Sequence, residues 1–104
     1  MQVQFNPGDH IDAHESLAER AQDIVDDALG RFAEQITRVE VYVSDENAGK
    51  GGADDKRCTM EARLTGHPPV AVTHHASTLR EALNGAAHKL QRSVDHTLGR
   101  LDRK

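Results

Sequence analysis

Hydrophobic and polar positions alternate most clearly between Thr37 and Gly66. Val39, Val41 and Val43 share one side of an extended segment, and Arg38, Glu40, Tyr42 and Ser44 share the other. After a polar, glycine-rich connection the alternation resumes, with Cys58, Met60, Ala62 and Leu64 opposing Arg57, Thr59, Glu61, Arg63 and Thr65. A period of two over so many residues marks two strands with one apolar face, and a single connection makes them an antiparallel hairpin. That face must be covered, and the flanking sequence supplies two covers. Upstream, Leu17, Ala21, Ile24, Val25, Ala28, Leu29 and Phe32 recur at steps of three and four, which predicts an amphipathic helix. Downstream, Leu79, Ala82, Leu83, Ala86, Leu90, Val94 and Leu101 do the same.

Two more strands complete the pattern. Met1 to Phe5 alternates, with Val3 and Phe5 inward, and stops at Asn6-Pro7-Gly8, a turn signal. With the first helix and the next strand it forms a βαβ-like unit. Gly66-His67-Pro68-Pro69 turns the chain into a fourth strand from Val70 to His74 or His75. Asp12 with Glu15, or Ser16 with Glu19, offers a capping box to the first helix, and Thr78 with Glu81 offers one to the second. Asp27 and Arg31 are spaced for an ion pair along the first helix. Gly99 predicts the start of a fraying end, with 101–104 disordered. The order β-α-β-β-β-α gives an α+β fold, a four-stranded mixed sheet with two helices on one face, as a single domain over 1–104.

Composition narrows the class. With 104 residues and only three aromatics, Phe5, Phe32 and Tyr42, the core is modest and mainly Val, Leu, Ile and Ala. Cys58 is the sole cysteine, which excludes an internal disulfide and fits a reducing compartment. The N-terminus lacks the basic and apolar regions of a signal peptide, and no apolar run could span a bilayer. A soluble cytoplasmic protein with no membrane partner is expected.

The formal charge of −4 argues against indiscriminate nucleic-acid binding, but it is unevenly spread. Ser77 to Lys104 carries six basic residues against three acidic ones, whereas Asp12 to Glu34 carries two against seven. With Leu79 at zero and each residue turned by 100°, the apolar stripe of the last helix centres near 30°. Gly85, Lys89, Arg92, His96, Arg100 and Arg103 then fall between roughly 220° and 300°. A basic helical stripe suits a phosphate backbone, because it releases condensed counterions. Gly85 on that side would let a ligand approach the backbone. A solvated surface is the plainer account of the same stripe. Since Tyr42 alone could stack a base, recognition of RNA would rest on charge and shape.

The other candidate motifs fail on spacing. Gly49-Lys50-Gly51-Gly52 lacks the full phosphate-loop pattern, and no helix follows it. Asp45, Asn47 and Gly49 begin like a calcium loop, but Lys50 stands where glycine is invariant and Lys56 where a bidentate Glu belongs. The segment reads as a flexible hairpin tip. His10 with His14, or His74 with His75, could contribute to a metal site, yet no complete ligand set accompanies them. The seven histidines suggest pH sensitivity instead, since seven added protons carry the formal charge from −4 to +3. Cys58 lies on the inward strand face, and no nucleophile and base can be paired by spacing. No enzyme, metal, cofactor or small-molecule substrate is expected.

In this order and spacing the chain resembles the bacterial ribosome hibernation-promoting factor and ribosome-associated inhibitor family, in its short single-domain form. The resemblance is carried by Arg38-Val39-Glu40-Val41-Tyr42-Val43, by Lys56-Arg57-Cys58-Thr59-Met60-Glu61-Ala62-Arg63-Leu64, by Gly66, Val70 and Val72, and by the run from Thr78 to Leu90. It implies a double-stranded-RNA-binding-domain-like fold and a protein that binds the small ribosomal subunit and its 16S rRNA. Such a protein sits in the channel used by messenger and transfer RNA and silences idle ribosomes under stress. The family's basic positions on the last helix correspond to Lys89, Arg92 and Arg100, with Arg103 and His96 assisting. Lys50, Lys56 and Arg57 are expected as secondary RNA contacts at the loop and its exit. Arg80, Asn84, His88 and His96 depart from the family's usual residues, as do Asp23, Asp26 and Asp27 on the first helix. The competing expectation is a protein–protein interaction module that keeps the fold without the ribosome, using the acidic first helix or the sheet face around Tyr42 and Arg63.

Overall fold

A computed structural model describes residues 1–8, 11, 15–46 and 56–102, the side chains at 15 and 100–102 excepted. Asp12, His10, His14, Arg103 and the hairpin tip with Asn47, Gly49 and Lys50 lie outside the described residues. The elements follow the expected order: β1 (Gln2–Pro7), α1 (Glu15–Leu29), a 3-10 turn (Gly30–Phe32), β2 (Ile36–Asp45), β3 (Lys56–Leu64), β4 (Val70–Ala76) and α2 (Leu79–Asp102). The strands lie in the sheet in sequence order, β1 parallel to β2 and the other pairs antiparallel. This is the mixed sheet of an α+β fold. Likeness to a double-stranded-RNA-binding domain is loose.

Period-two burial carries through the hairpin. Val39, Val41 and Val43 meet Ala62, Met60 and Cys58 across the β2–β3 ladder, and all six are buried. From α1, Ala21, Val25 and Leu29 reach the same core, and α2 adds Ala82, Leu83, Ala86, Ala87, Leu90 and Val94. Fully burying a Leu or Met side chain contributes about 1.5–3 kcal/mol, so Leu29, Met60, Leu83 and Leu90 are its heaviest members. α2 packs on β3 and β4, while α1 packs on β1 and α2.

Several boundaries differ from expectation, each for a local reason. Strand β1 runs on through Asn6 and Pro7, in register with Tyr42 and Val43, and Gly8 N–H still donates to the Val43 carbonyl at 2.8 Å. Proline is tolerated there because β1 is an edge strand. Strand β2 begins at Ile36, and a bulge between Ile36 and Arg38 puts both Ile36 and Val39 inside despite their odd spacing. Thr37 Oγ1, at the bulge, donates to the Arg63 carbonyl at 3.1 Å. Ser16 lies within the first turn of α1 and so does not cap it. Gly99 does not end α2, which continues to Asp102. Arg31 pairs with Asp95 of α2 at 3.3 Å, not with Asp27, and its guanidinium lies over the Phe32 ring.

The turn into β4 and the start of α2 are as read. Gly66 has φ of 76°, a backbone conformation that side chains with a Cβ resist. Thr78 Oγ1 accepts the Glu81 backbone N–H at 3.1 Å, while the Glu81 carboxylate accepts from the Thr78 and Ser77 hydroxyls. Thr78→Ala removes that cap and is expected to cost about 1 kcal/mol of unfolding free energy in a urea titration. Thr78→Ser should retain most of it.

Candidate nucleic-acid interface

Helix α2 exposes its basic flank beside strand β4. Lys89, Arg92 and His96 lie one turn apart, and with Val72, Ser93, Asp95 and Gly99 they line an open groove of about 750 Å³. Arg92 and His96 have no hydrogen-bond or ion-pair partner among the described residues, so both are free to meet an anion. Among the described residues the one carboxylate of the groove, Asp95, is met by Arg31 from the α1 side. Both partners are about 60% exposed (62% and 60%), so the pair adds at most about 1 kcal/mol to stability. Its effect is on the local charge of the groove.

Lys89 has a second task. Its Nζ donates to the backbone carbonyl of Thr73 in β4 at 3.0 Å. The ammonium therefore ties helix to sheet while remaining exposed to solvent.

Gly85 is not an opening for a ligand, contrary to the sequence reading. A Cβ built on it would overlap the imidazole of His74, lying only 2.6 Å from its Cγ. His74 occupies the inward row of β4, level with Cys58. The space left by the missing side chain is filled from within the protein.

Of the remaining expected contacts, Lys56 and Arg57 lie away from this groove. Lys56 opens β3 opposite Ala76, with its ammonium 3.3 Å from the Asp45 carboxylate. Arg57 points to the helix-free face and lines a different depression, beside Tyr42. Arg100 is part of α2, without a described side chain, and Arg103 lies beyond the described residues. His74 and His75 alternate onto opposite faces of the sheet, and His75 Nε2 lies 2.8 Å from Glu46 Oε1. Among the described residues no group of three or more His, Cys, Asp or Glu could hold a metal. Burial pushes the Cys58 thiol up to about 12, far from the thiolate that nucleophilic chemistry needs. No helix among them is long and apolar enough to cross a membrane.

Sequence reading missed the polar network on the helix-free face. Glu40 is only 9% exposed although it lies on that open side. Its carboxylate accepts from Tyr42 Oη at 2.7 Å, Arg38 at 3.2 Å and Arg63 Nε at 3.4 Å, and Arg63 also meets Glu61 at 3.3 Å. The Tyr42 hydrogen bond, with Arg38 and Arg63, holds the Glu40 carboxyl below its ordinary range. The same bond raises the Tyr42 phenol. Residues two apart on a strand share a face, so Glu40 and Tyr42 were legible as neighbours; the Arg63 contact depends on register.

A family model described as "Sigma 54 modulation protein / S30EA ribosomal protein" matches residues 6–102. A solved structure of a ribosomal subunit interface protein from Coxiella burnetii superposes with a TM-score of 0.72 at 12% identity, covering 95% of this chain and 99% of its own. The Protein Y N-terminal domain of Thermus thermophilus superposes with a TM-score of 0.75 at 18% identity, covering 93% and 99%. At such identities the likeness concerns the fold. No curated protein matches the chain by sequence.

Proposed function

Because the chain belongs to the sigma 54 modulation protein / S30EA ribosomal protein family, we propose that it is a ribosome-associated RNA-binding protein that occupies the decoding channel of the small subunit and represses translation in idle or stressed cells. The observation that carries this reading is the α2 groove, where Lys89, Arg92 and His96 face solvent together. Three donors at helical spacing follow a phosphate backbone without reading bases, which suits a ligand of fixed shape such as folded 16S rRNA. Acidic α1 would repel rRNA that faced it, but screening over a Debye length of about 8 Å leaves room for a one-sided approach. The protein approaches with the α2 flank.

Cosedimentation with purified small subunits across a salt series tests the proposal. Binding at low salt should weaken as salt rises, and Lys89→Glu with Arg92→Glu should abolish it. Neutralising Arg92 alone should lower the slope of log affinity against log salt by about one, since each phosphate contact contributes roughly that much. Absence of binding at low salt, or binding indifferent to the double reversal, sinks the proposal.

A further inference from the structure

On the helix-free face of the sheet, Tyr42 and Arg57 form a second arrangement that the α2 groove leaves unused. We propose that they bind unpaired RNA, the Tyr42 ring stacking on a base and the Arg57 guanidinium holding an adjacent phosphate. Tyr42 is 43% exposed, the single large apolar side chain so placed among the described residues. Its ring is fixed in advance by the phenol hydrogen bond to Glu40, which Arg38 and Arg63 anchor in turn. A ring held in this way loses little freedom when a base stacks on it.

Charge complementarity points to the occupant. The carboxylates nearest Tyr42 on this face, Glu40 and Glu61, are both met by arginines. Arg57 has no partner among the described residues. It stands across the ladder from Ser44, and Tyr42 stands across from Thr59, so guanidinium and ring are diagonal neighbours. With Asn6 and Pro7 these residues line a depression of about 420 Å³, within the ordinary range of about 300–1,000 Å³ for small-ligand sites. Glu46 also stands near Arg57, through His75 across the ladder, and is met by that imidazole. Among the described residues the unpaired charge on this face is the Arg57 guanidinium, and the platform is aromatic. A nucleotide supplies both complements, a phosphate and a π-face, whereas an acidic peptide supplies only the first.

Tyr42 is the only tyrosine and the chain has no tryptophan, so intrinsic emission near 300 nm reports this ring alone. Titration with an eight-nucleotide oligoadenylate should quench that emission saturably, while inorganic polyphosphate should not. Anisotropy of the labelled oligomer, in a Lys89→Glu, Arg92→Glu background, then measures the affinity of this face. Tyr42→Ala should weaken it by about 5- to 150-fold, the range that corresponds to one stacked base. Tyr42→Phe, which keeps the ring, should bind within a few-fold of the parent. Arg57→Gln should lower the salt slope by about 0.7, the single-strand value for one phosphate. Absence of quenching, equal quenching by polyphosphate, or affinity unchanged by Tyr42→Ala overturns the proposal. Loss of quenching in the Lys89→Glu, Arg92→Glu background also overturns it, by placing the oligomer in the α2 groove. Small-subunit cosedimentation is read separately, so the two proposals fail independently.

Discussion

Leu90→Ala is expected to lower the unfolding free energy by about 2–5 kcal/mol, measured by urea denaturation. Leu90 is fully buried in the middle of α2, in a stripe with Leu83 and Val94 that covers the inward residues of β3 and β4. Truncation removes its transfer free energy and leaves a cavity bounded by strands that cannot collapse into it. Domains of this size are stable by only about 5–15 kcal/mol, so one side chain carries a large share. Leu98, partly buried towards the end of the helix, should cost clearly less when truncated. Equal losses at the two positions would show that packing does not grade along α2.

Gly85→Ala should destabilise by about 1–2 kcal/mol, although alanine is the better helix former. Relief of the glycine penalty offers at most about 1 kcal/mol, whereas overpacking costs about 1–3. The obstacle is the His74 ring, whose Cδ2 and Nε2 lie nearest to the new methyl carbon and whose Cγ would lie 2.6 Å away. Tilting the imidazole cannot clear that atom, so either His74 changes rotamer or α2 lifts from β4. In a His74→Ala background the same substitution should instead stabilise, by about 0.5–1 kcal/mol. A double-mutant cycle reads this reversal as a coupling energy. If Gly85→Ala stabilises the parent protein too, His74 is not the reason for glycine at this position.

The fold was legible because its strongest signals are local. Alternation from Val39 to Val43 and from Cys58 to Leu64 set both faces of the hairpin, and the Thr78–Glu81 spacing set the start of α2. Ile36 escaped because a bulge breaks the period of two, and no local signal marks the bulge. Pro7 resembled a stop because proline in a strand is acceptable only at an edge, and edges belong to the whole sheet. The same limit divided the site. Lys89, Arg92 and His96 share a groove because helical periodicity alone aligns them. A helical projection records where the helix's own core lies but not what stands beside it, so Gly85 looked open when His74 fills the space. Arg57 and Tyr42 fell on one face by alternation, but pairing them needed the β2–β3 register.

A strand with no neighbour presents spare backbone donors and acceptors to any extended chain that drifts past, the usual beginning of sheet-to-sheet growth between molecules. Pro7 offers no N–H at the end of β1, and the Lys89 ammonium occupies the Thr73 carbonyl in the middle of β4. Each border of the sheet thus has one position closed to an incoming strand, which disfavours self-association at high protein concentration.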